Sequence, residues 1–143
     1  MTKHKVSPTQ NLTILVARLL LVWLFVLFGW PKLHDFTGTV AYMGHVGAPL
    51  PLLAAIIAVA MEFFAGIALL LGIFTRPLAL LFFVYTFGTA LIGHHYWSLT
   101  GSARMMAEIG FYKNLSIMGG FLLLYVTGAG AYSLDGLRTR QSA

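Results

Sequence analysis

Long apolar stretches separated by short polar connections dominate the pattern of this chain. Four of them stand out, covering residues of about 12–30, 50–74, 77–93 and 115–130. A helix that crosses the hydrocarbon core of a bilayer needs about 20 residues, with roughly 17–25 tolerated. Because lipid offers the backbone no hydrogen-bonding partner, each stretch has to form a helix. The pattern therefore predicts an all-α fold, a four-transmembrane-helix bundle in which residues 1–143 form a single integral membrane domain.

The connections between these stretches predict where the chain turns. The connection from Gly72 to Pro77 is short, with glycine near one helix end and proline opening the next, and predicts a tight turn. The connections 31–49 and 94–112 are longer and rich in aromatic residues, which is typical of the membrane–water interface. Both also carry apolar residues at helical spacing: Phe36, Val40 and Met43 in the first, and Met105, Ile109 and Tyr112 in the second. We therefore expect a short interfacial helix in each of these two outward loops.

Composition supports a membrane protein and excludes several chemistries. Of the 143 residues, 59% are hydrophobic and 9% are charged, whereas a soluble domain carries about 25% charged residues. Cysteine is absent, which excludes disulfides, thiolate-ligated clusters and a CxxC redox pair within this chain. Any electrons must therefore reside on a bound cofactor, a substrate or a partner. No run of basic residues is suited to nucleic acid, so no nucleic-acid partner is expected.

The distribution of Lys and Arg outside the apolar stretches predicts the orientation. No small-x-small cleavage site follows the first stretch, so we interpret that stretch as a retained helix. Five basic residues then lie on the side of the termini and three on the other: Lys3, Lys5, Arg76, Arg138 and Arg140, against Lys32, Arg104 and Lys113. Basic residues are enriched in cytoplasmic loops. We expect a multi-pass protein of the bacterial cytoplasmic (inner) membrane with both termini in the cytoplasm.

Two ionisable residues interrupt the apolar stretches, Arg18 in the first and Glu62 in the second. Each costs about 2.5–3.5 kcal/mol at the bilayer centre, so both are expected to face the bundle interior. Small residues around Glu62, among them Ala55, Ala58 and Gly66, predict close packing of this face on a neighbour. The depths of Arg18 and Glu62 favour an ion pair. That pair either joins two helices or lines a cavity that binds a polar group or moves a proton.

Three more side chains are candidates for ligand binding. His94 ends the third stretch, and its neutral and charged forms are both accessible near pH 7. Its adjacency to His95 does not match the spacing of metal ligands, so no metal site is predicted. Lys113 and Asn114 open the fourth stretch. The alternative is an interfacial histidine, a snorkelling lysine and a capping asparagine without a role in binding.

Several segments together resemble the DoxX family of small four-helix membrane proteins, from Leu15 to about Leu137. The resemblance rests on the order and spacing of these segments: LVARLLL, FGWPKL, YMGHVGAPLP, MEFFAGIALLLGIFTRPLAL and YKNLSIMGGFLLLYVTGAGAYSLD. It implies an oxidoreductase subunit. Members of the family are linked to thiosulfate:quinone oxidoreductase, to quinone or catechol stress, or to redox enzymes at the membrane.

These observations lead to one main hypothesis and two alternatives. The main hypothesis is a membrane subunit that binds a quinone-like or other small redox molecule in a helix-bundle cavity and supports a redox or detoxification system. Arg18, His94, Lys113 and Asn114 would donate hydrogen bonds, and Glu62 would accept a proton from a quinol. The alternatives are a non-catalytic anchor or assembly module for a soluble redox partner, and a small transporter or proton pathway. The expected partners are the lipid bilayer and a soluble or membrane redox protein, with a homo-oligomer left open.

Overall fold

The computed structural model describes residues 6–141, except the side chain of Arg140. The α-helices within this range are α1 (Pro8–His34), α2 (Phe36–His45), α3 (Pro51–Val59), α4 (Gly66–Leu71), α5 (Thr75–Gly93), α6 (Gly101–Thr127) and α7 (Leu134–Gln141). A π-helical turn at Ala60–Ala65 joins α3 to α4, and a 3₁₀ turn at Tyr96–Ser98 lies between α5 and α6.

The predicted all-α bundle with four spans is confirmed. Four helical segments of the described chain are long and apolar enough to cross a membrane: Pro8–His34, Pro51–Leu71, Thr75–Ser98 and Gly101–Thr127. The first of the two longer connections contains the expected short helix, α2. The second contains only the 3₁₀ turn, because residues 105–112 form the first turns of α6 rather than a separate helix. The fourth span therefore begins well before the predicted residue 115.

We call the two ends of the bundle the terminal side, which holds the start of α1 and α7, and the loop side, which holds α2 and the 3₁₀ turn. The terminal side is fastened by the segment after α6. The side-chain oxygen of Asn11 accepts a hydrogen bond from Ala131 N at 2.7 Å. The carboxylate of Asp135 caps α5 by accepting from Phe74 N at 3.0 Å and Thr75 N at 2.8 Å. The C-terminal segment thereby ties the beginnings of α1 and α5 together.

An apolar core fills the middle of the bundle. Phe25 from α1, Phe82 from α5 and Phe121 from α6 are buried, with ring centroids 5.0 to 5.5 Å apart. Val22 and Leu69 complete this layer with no exposed surface. On the loop side of the core the helices separate: α5 packs along α6 but scarcely touches α3. The bundle is therefore tightly packed towards the terminal side and leaves a gap between α3 and α5 towards the loop side.

One face of α1 carries the residues that organise both ends. It runs through Arg18, Val22, Phe25, Gly29 and Lys32, spaced four, three, four and three residues apart, which keeps them on one side of a helix. At Gly29, a β-carbon would lie 2.7 Å from the backbone of the π-helical turn. Glycine alone permits this approach, and it brings the turn that carries Glu62 beside the end of α1. The predicted packing of the small-residue face also holds, because Ala55, Ala58 and Gly66 are buried.

Candidate functional site

A three-residue polar cluster lies where α1 meets the π-helical turn. Glu62, buried in that turn, accepts a hydrogen bond from Lys32 Nζ at 2.5 Å through Oε2, and from the hydroxyl of Tyr85 at 2.6 Å through Oε1. Lys32 Nζ also donates to the carbonyl of Phe28 at 3.3 Å. Both carboxylate oxygens of Glu62 are thus occupied by side chains from α1 and α5. Single π-helical turns occur frequently at functional sites.

This cluster lines a cavity of about 510 Å³ on the loop side. Its walls come from α1, α3, α5 and α6 and are mainly apolar, and α2 with the following loop covers it. Pockets for small molecules are typically about 300–1,000 Å³, apolar, with a few placed polar groups. The polar side chains that line this cavity are Lys32, Glu62, Tyr85, Thr89, His94, Lys113 and Asn114, together with the hydroxyl of Tyr42.

A second polar group, from α5 and α6, lines the same cavity. Asn114 Nδ2 donates to Thr89 Oγ1 at 3.3 Å, and Thr89 Oγ1 donates to the carbonyl of Thr86 at 2.9 Å. Asn114 is buried in the interior of α6, so the alternative of a capping asparagine is wrong. The imidazole of His94 packs on Gly110, where any side chain would overlap it. Residues 6–141 contain no cluster of His, Asp or Glu that could hold a metal ion.

Arg18 lies elsewhere, on the terminal side of the core. Its guanidinium donates to the carbonyl of Ala129 at 2.6 Å and to that of Tyr132 at 2.9 Å, and the residue is only 2% exposed. It does not line the cavity. The predicted Arg18–Glu62 ion pair is therefore wrong. The ion-pair partner of Glu62 is instead Lys32, fourteen positions after Arg18 in α1. Fourteen positions correspond to about 21 Å along a helix.

Comparison with known proteins places this architecture in a family. The DoxX family model matches residues 13–95, more than half of the chain. The chain belongs to the DoxX family. Among its relatives, inner membrane protein YphA of Escherichia coli (strain K12) is 59% identical over 129 residues, covering 90% of this chain and 92% of YphA. Inner membrane protein YqjF of the same strain is 39% identical over 132 residues, covering 92% and 96%. No solved structure gives a significant match.

The part of this DoxX protein that matches the family model runs through α1 to α5. It includes Lys32, Glu62 and Tyr85, whereas Lys113 and Asn114 lie beyond it. Sequence reasoning treated Lys32 as a loop charge and did not single out Tyr85. Helical spacing in the sequence indicates both residues. Lys32 continues the face of α1 that carries Arg18, and Tyr85 lies one turn before Thr89 on the polar face of α5.

Proposed function

We propose that this chain binds a quinone-like or other small redox molecule in the loop-side cavity and thereby supports a redox or detoxification system in the membrane. The observation that carries the proposal is the cavity itself. Apolar walls surround about 510 Å³ that is also lined by two polar groups, Lys32–Glu62–Tyr85 and Thr89, His94, Lys113 and Asn114. A quinone ring has apolar faces and opposite carbonyls, so it needs this combination of surfaces.

Lys32 is the leading donor to such a ligand. Its ammonium has three N–H groups, of which one donates to Glu62 and one to the carbonyl of Phe28. The third is left for a ligand carbonyl. In the second polar group His94, Lys113 and the Asn114 amide would supply donors to the second carbonyl. A donor in a dry pocket discriminates strongly, because a ligand without the matching acceptor leaves a polar group unsatisfied.

Glu62 acts through its neighbours in this proposal. Because a carboxylate and a quinone carbonyl are both acceptors, it orients Lys32 and Tyr85 rather than contacting a ligand carbonyl directly. A quinol hydroxyl next to Tyr85 would have a hydrogen-bonded route to the Glu62 carboxylate. With no cysteine in the chain, electrons would pass between the ligand and a partner enzyme. The apolar core between Glu62 and Arg18 favours ligand binding over a proton pathway through the bundle.

The proposed location is the cytoplasmic (inner) membrane, with both termini in the cytoplasm. Two relatives are named inner membrane proteins, and the excess of Lys and Arg lies on the terminal side. The cavity then lies in the outer half of that membrane. Reporter fusions after Arg76 and after Ala143 should read cytoplasmic, and one near Gly101 should read external. An external reading after Ala143 would overturn the orientation.

The binding proposal is tested on protein purified in a mild detergent. An ultraviolet–visible spectrum and mass spectrometry of its lipid extract should reveal a bound redox molecule. Adding a quinone at a hundredfold excess over its dissociation constant should stabilise the fold by about 2.7 kcal/mol. Glu62→Gln should weaken quinone binding by about tenfold, the equivalent of one hydrogen bond, because Lys32 loses the carboxylate that positions it, and Tyr85→Phe should weaken binding of the quinol, whose hydroxyl would donate to the Tyr85 oxygen, by a similar factor.

Tyr125→Phe is the matched control, because Tyr125 is exposed on α6 and does not line the cavity. It should bind quinone as the parent does. A protein that carries no redox molecule and is stabilised by no quinone tested would overturn the proposal. The membrane-anchor hypothesis would then lead, and co-purifying soluble enzymes would be the next target.

A further inference from the structure

The loop-side cavity reaches the surface of the bundle between α3 and α5. These helices scarcely touch, whereas α5 contacts α4 and the π-helical turn nearer the terminal side. Three residues line the cavity and are also exposed at this gap: Leu53 (49%) and Ile57 (44%) on α3, and Ile92 (36%) on α5. A β-carbon added at Gly88, which lies between Tyr85 and Ile92 on the same wall, would meet no atom within 4 Å.

The other sides of the cavity are covered by bulky residues. Tyr42 and Met43 of α2, and Val46 directly after it, lie across the loop side. Phe25 forms the floor, where its ring packs on Phe82 and Phe121. On the wall formed by α1 the cavity carries Phe28, which is itself 53% exposed. The gap beside Gly88 differs from the other sides in the sparse packing between α3 and α5 and in the open space next to position 88.

We propose that the ligand is an amphiphile, with a polar ring as its head and a flexible apolar chain, and that it enters sideways from the lipid between α3 and α5. The inference rests on the proposed function and names the class of molecule for that same site. Every exposed side chain at the gap is apolar, and the gap lies within helices long enough to span a membrane. Transfer of a polar group into hydrocarbon is costly, whereas an apolar chain partitions into it favourably. The head then meets Lys32 and Asn114 while the chain stays in the gap, against Ile57 and beside Gly88.

Two quinone probes with the same head test this, one without a chain and one with a decyl chain. The parent should bind the decyl probe at least about tenfold more tightly, because two buried methylene groups already contribute that much. Gly88→Leu fills the gap and should weaken binding of the decyl probe far more than binding of the chain-free probe, which removes the preference. Gly119→Leu is the control: its added side chain also meets open space, but it lies on α6 outside the cavity.

A second pair of variants covers the opposite lip of the gap. Ile57→Ala should weaken binding of the decyl probe only, whereas Ile56→Ala, which is equally exposed but does not line the cavity, should change neither affinity. Equal affinity of the parent for both probes would overturn this inference and leave the proposed function standing. Equal weakening of both probes by Gly88→Leu would also overturn it. A parent that binds neither probe would overturn both proposals.

Discussion

Arg18 and Glu62 are both buried charges within the spans, yet their surroundings differ in kind. Arg18 binds two backbone carbonyls of the chain's own C-terminal segment, and the packed core closes over it. Glu62 binds two side chains, Lys32 and Tyr85, at the edge of a cavity. Carbonyls of a fixed segment cannot exchange for a ligand without opening the fold. Side chains that line a cavity can exchange one partner for a ligand. A buried charge in a membrane therefore marks a binding site only where free space adjoins it.

The Arg18 region also connects the two chain ends. Arg18 donates to the carbonyls of Ala129 and Tyr132, and between them Ala131 N donates to the side chain of Asn11. Asp135, which caps α5, follows in the same segment. Arg18 interacts electrostatically with Asp135 as well, so the positive charge is not left without a negative group nearby. Arg18, Asn11 and Asp135 therefore act as one fastening of the terminal side. The contrast with the loop side leads to three predictions, in order of decreasing size.

The largest effect is expected for Arg18→Leu. It leaves the carbonyls of the buried Ala129 and the half-exposed Tyr132 without their donor; a buried unsatisfied group costs about 1–3 kcal/mol, and a partly exposed one costs less. Thermal unfolding in detergent, followed by circular dichroism, should report a loss of about 1–4 kcal/mol. Arg104→Leu, at an exposed position, should change stability far less. An Arg18→Leu protein as stable as the parent would contradict the fastening role.

A double-mutant cycle separates the two regions directly. Lys32→Met leaves the Glu62 carboxylate unpaired, so it should be partly rescued by Glu62→Gln, with a coupling of about 1–3 kcal/mol. This coupling energy is smaller than that of a fully buried ion pair, because the side chains of Lys32 and Glu62 are 22% and 10% exposed. The corresponding cycle between Arg18→Leu and Glu62→Gln should be additive within about 0.5 kcal/mol. Comparable coupling in both cycles would mean that the two clusters form one network after all.

The smallest effect concerns the pH dependence of the terminal side. Burial alone would raise the pKa of Asp135, but hydrogen bonds from Thr75 and Phe74 and the nearby Arg138 outweigh it and lower the pKa. A carboxyl with a depressed folded pKa stabilises the fold above its unfolded pKa of about 3.9 and loses this contribution as the pH falls through the folded value. Asp135→Asn should therefore be about 1 kcal/mol less stable than the parent at neutral pH.

The difference between Asp135→Asn and the parent should shrink as the medium is acidified, in unfolding curves recorded across a pH series. Quinone affinity at neutral pH should be the same for both proteins, because Asp135 lies outside the loop-side cavity. A stability difference that does not change with pH would show that the carboxylate charge has no part in the cap.

Much of the fold could be predicted from sequence because it depends on local properties. Apolar runs of spanning length and the short glycine–proline turn determine four helices and a common side for both ends. The continuous helix Gly101–Thr127 was harder, since its first turns are polar and aromatic and resemble an interfacial segment. Their helical state follows from packing on α5 and the 3₁₀ turn, which a pattern along one segment does not contain.

For the candidate site, composition and position identified Glu62, His94, Lys113 and Asn114, all of which line the cavity. Hydropathy alone marks Glu62, because a polar side chain inside a span has to face the interior. His94, Lys113 and Asn114 were marked instead by hydrogen-bonding groups at the ends of the predicted stretches. The partner of each charge was decided only in three dimensions. Gly29 allows the π-helical turn to pack against the end of α1, so Glu62 pairs with Lys32. The C-terminal segment folds back, so its carbonyls accept hydrogen bonds from Arg18. An ion pair depends on distances of a few ångströms between helices, and those distances are set by packing rather than by spacing along the chain.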